Sequence, residues 1–170
     1  MIDNDVLRRM RKDWDKRARE NAEYYIVNSS KEWKDRDFYR SGEINVANDI
    51  MPDMHRICGG SRSPLDLMAL EIGCGVGRMT KMLARIFGHV TAVDVSKEMI
   101  DRARVNLADL HNVTLMLGRW SDVIRRARRV PRFRFLIHRL PTHSEHRGDR
   151  LVLPGSTPRP PAWFSFLNSS

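Results

Sequence analysis

With 170 residues, 41% of them hydrophobic, the chain can form one modest core, and its formal net charge of +9 points toward nucleic acid only until the charge distribution is read. Residues 1–118 carry 19 Lys and Arg against 18 Asp and Glu, whereas residues 119–170 carry 11 Arg, no Lys and 3 acids, so the basicity belongs to the tail. No apolar run reaches the roughly 18 residues of a membrane-spanning helix, the start lacks a signal-peptide pattern, and Cys58 and Cys74 make no disulfide framework, so the expected setting is cytoplasmic without a membrane partner.

Met10, Trp14, Ala18, Ala22, Tyr25 and Ile26 recur at helical spacing among charged residues and predict an amphipathic helix. Within it, plain packing is expected of Trp14, Tyr24 and Tyr25 in preference to a lid. Ile44, Val46, Ala47, Ile50, Met51 and Met54 predict a second helix with Ser41 as its N-cap, ending near Gly59-Gly60. After a loop at 59–64, Leu67-Met68-Ala69-Leu70-Glu71-Ile72 is a nearly continuous apolar run of the buried parallel-strand kind.

That run ends in Gly73-Cys74-Gly75-Val76-Gly77-Arg78, and a helical pattern begins at once with Met79, Met82, Leu83 and Ile86, closed by Gly88 as a C′ residue. A strand turning sharply into a helix needs positions without a Cβ, to reach unusual backbone angles and to let a ligand lie against the main chain. His89 to Asp94 reads as a second strand ending in a carboxylate, a group suited to accept hydrogen bonds from a ribose diol. Ser96 caps a helix bearing Met99, Ile100, Ala103 and Leu107, and Val113 to Leu117 is a third strand. The alternation β-α-β-α-β is half of a doubly wound parallel α/β sheet. Phe133-Arg134-Phe135-Leu136-Ile137 is a candidate fourth strand, and six of the eight prolines lie in the tail, most of which reads as irregular.

Glu71-x-Gly73-x-Gly75-x-Gly77 together with Asp94-Val95-Ser96-Lys97-Glu98-Met99 resembles the class I S-adenosylmethionine-dependent methyltransferases over residues 65–118. Less specifically, Trp14 to Glu43 is similar to the helical extension that precedes the core in some bacterial members. The resemblance implies a Rossmann-like fold with S-adenosyl-L-methionine as cofactor. Gly73, Cys74 and Gly75 would pass beside its methionine part, with Gly77 completing the turn, and Glu71 would hold its amino group. Asp94 would take the ribose hydroxyls, and Val95 and Met99 would line the adenine pocket. The implied activity is methyl transfer to an unassigned acceptor.

The match departs from the family at Gly118-Arg119-Trp120, where an acidic residue is usual, and at the candidate fourth strand, where Arg134 stands in place of an acid. No catalytic base is legible. The roughly 100 residues from the first strand onward are too few for a complete family core at ordinary element lengths. The sequence therefore predicts a sheet truncated after the third or fourth strand, without a substrate half, and a chain of doubtful activity. Three regions are expected: a helical extension over 1–60, a cofactor-binding half over 61–118, and an Arg- and Pro-rich tail over 119–170. A shortened sheet predicts an unpaired edge and an uncovered apolar face on the first strand, and oligomerisation through them.

Two rivals rank lower. A nicotinamide-dependent oxidoreductase would carry Gly-x-Gly-x-x-Gly with its third glycine at 78, where Arg78 stands. A nucleic-acid-binding module would use Arg125, Arg126, Arg128 and Arg129 on phosphates, but no base-reading motif accompanies them. His138, His143 and His146 with Glu145 follow no metal-ligand spacing, and no metal is expected.

Overall fold

The computed structural model describes residues 4–27, 32–118 and 133–138. The elements are helices α1 (Asn4–Val27), α2 (Asp35–Asp49) and α3 (Met54–Ile57), then strand β1 (Met68–Ile72), α4 (Thr80–Ile86), β2 (His89–Asp94), α5 (Lys97–Asn106), β3 (Val113–Leu117) and β4 (Phe133–His138). The strands form one sheet in the order β3-β2-β1-β4, with every neighbouring pair parallel. This is the doubly wound α/β arrangement predicted, with the chain order reversing between β1 and β4. In such sheets the crevice at the carboxyl ends of the strands on either side of that reversal is where ligands bind.

Parallel strands are covered on both faces and read as continuous apolar runs, and β1 shows why. Ala69, Val90 and Ala92 face a core shared with Leu83, Ala84 and Ile100 of the crossover helices, with Val46 of α2, with Ile50 just after it and with Ile57 of α3. Leu70, Ile72 and Val93, on the alternate positions, are also buried. The expected free edge and bare face of β1 are therefore corrected. β4 pairs along β1 from Met68 to Ile72, with one register irregularity at Met68/Ala69. Pairing on both sides gives the strand's backbone groups partners that an edge strand would lack.

Helix α2 begins well before the expected cap. Its N-cap is Lys34, without a side-chain cap bond, and Ser41 lies inside the helix with its hydroxyl donating to the Phe38 carbonyl at 2.6 Å. Aromatic packing sets this start: Phe38 is buried and meets Trp33 and Tyr39 edge to face. Pro52 then divides the predicted long helix, since it cannot donate to the preceding turn, leaving a 3-10 turn at Met51–Asp53 before α3. Gly88 also has a different role from the one expected. It lacks the positive φ of a left-handed cap. A Cβ there would lie 2.0 Å from the Leu65 carbonyl oxygen, so the reason for glycine is close backbone approach.

Helix α1 is broken at Asn21, whose φ of −168° and ψ of 89° leave the helical region. The Asn21 Oδ1 accepts from the Tyr24 amide at 3.0 Å and so caps the second half. Ala18 and Ala22, both fully buried, pack with Phe38, Val76 and Met99, and Trp14 and Ile26 flank that cluster. Trp14 thus serves packing, as expected. Tyr24 and Tyr25 meet edge to face, and the Tyr25 hydroxyl donates to Glu20 at 3.0 Å. The expected irregular tail, including the arginines at 125–129 and the histidines at 143 and 146, lies outside the described residues apart from β4.

Candidate functional site

The predicted motif residues gather at the carboxyl ends of β1 and β2. The loop leaving β1 is fastened to the end of β2 by two amides, Gly73 N and Cys74 N, which both donate to the Val93 carbonyl at 2.8 and 3.1 Å. The amide of Gly75 donates to Asp94 Oδ2 at 2.9 Å, and that of Ser96 donates to Asp94 Oδ1 at 2.8 Å. One carboxylate therefore joins the glycine loop to the start of α5. Burial is the main influence on Asp94 and pushes its pKa above the ordinary 3.8, opposed by the amides of Ser96, Gly75 and Val95 that favour the charged form.

Gly73, Gly75 and Gly77 all have positive φ, at 77°, 55° and 89°, but their surroundings differ. Gly73 is exposed. A Cβ on Gly75 would stand 2.9 Å from Ile26 Cδ1, and one on Gly77 would stand 2.7 Å from Leu107 Cδ1. Gly77 thus lets the turn close on α5, and Gly75 lets the second half of α1 close on the loop. Open approach to the main chain is found at Gly73.

Glu71 is buried on β1 and accepts from the Thr80 hydroxyl at 2.6 Å, linking strand and following helix. Cys74 is buried, and burial, followed by the neighbouring charges of Asp94 and Glu71, holds its thiol well above the usual range. Val95 accepts a hydrogen bond at its carbonyl from Arg11 Nε at 3.0 Å. Met99 is buried under α1 in the cluster with Ala18 and Ala22.

Two residues that the motif pattern did not single out, Asp15 and Ile26, shape this site, and a third, Arg78, turns away from it toward α2. Asp15 on α1 accepts from the Ser96 hydroxyl at 2.6 Å and from the Glu98 amide at 3.3 Å, while the Ser96 oxygen accepts from the Met99 amide at 3.2 Å as the expected N-cap. Ile26 covers Gly75. Arg78 is almost fully buried and donates from Nη1 to Ser41 Oγ and Asn45 Oδ1, each at 2.9 Å. Helical periodicity ranks such residues only as charged or core positions, and their partners are too distant in sequence for a motif to reveal. Among the described residues no group of His, Cys, Asp and Glu is arranged to hold a metal ion, and no helix is long and apolar enough to cross a membrane.

Residues 69–136 match the family model described as a methyltransferase domain. That segment, 68 of the 170 residues, resembles the methyltransferase-domain family. The parallel sheet, with helices following β1 and β2, is a Rossmann-like arrangement. Nodulation protein S of Bradyrhizobium diazoefficiens is 38% identical over 55 residues, covering 32% of this chain and 22% of that protein. The chain therefore spans about a fifth of the length of that curated relative. Among solved structures, Haemonchus contortus phosphoethanolamine N-methyltransferase 1, in complex with phosphoethanolamine and S-adenosylhomocysteine, is similar at 20% identity and a TM-score of 0.47, covering 69% of this chain and 22% of that one. Magnesium protoporphyrin IX methyltransferase from Synechocystis PCC 6803 with bound S-adenosylhomocysteine is similar at 18% identity and a TM-score of 0.45, covering 66% of this chain and 51% of that one.

Proposed function

We propose that the chain binds S-adenosylmethionine at the ends of β1 and β2 and serves methyl transfer to an acceptor. The observation that carries this reading is the Asp94 carboxylate, partly buried at the end of β2 and held by the Gly75 and Ser96 amides, in a segment matching a methyltransferase domain. An ionised carboxylate offers about four lone-pair sites. The Gly75, Ser96 and Val95 amides use three, which leaves acceptor capacity for one ribose hydroxyl. The residues present therefore fit the ribose of this cofactor.

When bound, S-adenosylmethionine supplies a methyl group on a positively charged sulfur, open to in-line displacement by a nucleophile. The protein's share is orientation. Asp94 would hold a ribose hydroxyl, the exposed main chain at Gly73 would admit the methionine end beside Cys74 and Gly75, and Val95 and Met99 would bound the adenine. Glu71 would act through Thr80 and the loop that follows, keeping the strand-to-helix turn in place. Arg78 fills the position where a nicotinamide fingerprint needs its third glycine, and its buried side chain supports the ranking of that alternative below methyl transfer. The buried free thiols of Cys58 and Cys74 support a reducing, cytoplasmic setting.

Calorimetric titration of S-adenosylmethionine into the full chain, beside an Asp94→Ala control, tests the reading. Saturable binding that weakens sharply in the control is the expected result. A folded chain that takes up no cofactor would end it.

A further inference from the structure

A separate feature lies on the seam between α2 and α4, where a cleft of about 280 Å³ is lined by Arg36, Tyr39, Arg40, Glu43, Arg78, Lys81, Met82 and Arg85. Five of these eight side chains are cations and one is an acid. Glu43 pairs with Arg85 at 3.3 Å, and Arg36 with Asp37 at 3.5 Å. Among the described residues, Arg40, Arg78 and Lys81 pair with no carboxylate. Lys81 stands over the Tyr39 ring at 5.0 Å, a contact that leaves its ammonium hydrogens free for an anion. Tyr39 itself, its pKa pushed up to about 12 chiefly by burial and then by Asp35, keeps its proton and remains a hydroxyl donor.

Arg78 decides what this concentration of charge is for. It is 2% exposed, and its only hydrogen-bonded acceptors among the described residues are the neutral oxygens of Ser41 and Asn45. Its Nε and Nη2 are buried without any acceptor. A buried guanidinium with two idle donors and no counter-charge is costly, and an anion entering beside it removes both deficits at once. Arginine forks match the oxygens of a phosphate two at a time, so a dianionic phosphate group uses this set more fully than a single carboxylate does. The cleft is also too small for a nucleic-acid backbone, which needs a basic track running along many phosphates.

We infer that the α2–α4 cleft is an oxyanion site that takes the phosphate group of a small molecule through Arg40, Arg78 and Lys81. None of Gly73, Asp94, Val95 and Met99 lines it, so the site is separate from the one proposed for S-adenosylmethionine and stands or falls without it.

The test is titration of the full chain, in phosphate-free buffer, with inorganic phosphate and with glycerol 3-phosphate, followed by calorimetry. Arg40→Gln and Lys81→Met alter exposed and half-buried side chains, so folding is retained and is checked by circular dichroism. Arg104→Gln, on α5 and away from the cleft, controls for general charge. Saturable binding that drops at least about tenfold in each cleft variant and persists in the control is the expected result, one lost charge-assisted contact being of that size. Tighter binding of the ester assigns the site to a phosphorylated small molecule, and equal binding assigns it to free phosphate; both keep the oxyanion site. Absence of saturable binding, equal loss in the Arg104 control, or retention in both cleft variants overturns it. So does displacement of phosphate by S-adenosylmethionine, which would give the cations to that molecule's carboxylate, or tighter binding of a short RNA that depends on the same residues.

Discussion

Asp94 accepts the Gly75 amide at 2.9 Å, so the residue that ends one strand sets the path of the loop leaving its neighbour. The same carboxylate accepts the Ser96 amide, which makes it a clamp on two segments before it meets any ligand.

Asp94→Ala removes two charge-assisted acceptors, and the expected loss of folding stability is about 2–4 kcal/mol, with two amides left unpaired. Asp94→Asn keeps one acceptor oxygen and loses less. Urea denaturation of the three proteins checks the order. Cofactor titration on the same proteins gives a second ranking, with affinity falling by at least about tenfold in the alanine variant for one lost charge-assisted contact.

The pH dependence follows from the raised pKa of Asp94. The folded state holds this proton more tightly than the unfolded chain, so Asp94's contribution to stability is fully present below the ordinary value of 3.8 and declines as pH rises through the raised value. The stability difference between wild type and Asp94→Asn should therefore move against wild type across that acidic window and become flat above it. Denaturation midpoints measured from strongly acidic to neutral pH show the trend or its absence. For the proposed cofactor site, affinity should run in the opposite direction, weakening on acidification as the carboxyl loses acceptor capacity.

Strands β1 and β2, the glycine turn and the Ser96 cap were all legible because each rests on local chemistry. A buried parallel strand must be apolar throughout, and a serine before a helix meets its own amides. The start of α2 was not legible, because Phe38 and Tyr39 hold the helix open at its N-terminal end by contacts that no capping residue announces. Nor were the separate roles of the three glycines, which depend on Ile26 and Leu107 arriving from other helices. Arg78 read simply as a mismatch to a dinucleotide motif, and its burial against α2 emerges only in three dimensions.

Gly77→Ala faces both a positive φ and the buried side chain of Leu107, whose Cγ would lie 2.9 Å from the new methyl. The expected cost is about 2–4 kcal/mol from strain and overpacking together. Gly59→Ala, with a φ of 60° and nothing within 4 Å of the added carbon, should cost only about 1 kcal/mol from backbone strain. Similar melting shifts for the two would refute the packing role assigned to Gly77.

Asp15 and Ser96 act as a pair across the α1–α5 contact. Asp15→Ala and Ser96→Ala should each destabilise by about 1–2 kcal/mol. The double variant should lose less than the sum, with a coupling of about 0.5–1.5 kcal/mol. Strict additivity in denaturant unfolding would show that the two do not communicate.

The break at Asn21 divides α1 into two arms that do different work. The first, through Asp15, is anchored to the start of α5, and the second lays Ile26 across Gly75. Asn21 is thus an elbow whose angle decides how closely the second arm lies on the glycine turn. A change at this half-buried position, far from the motif in the chain, would alter the shape of the turn without touching a single residue of it.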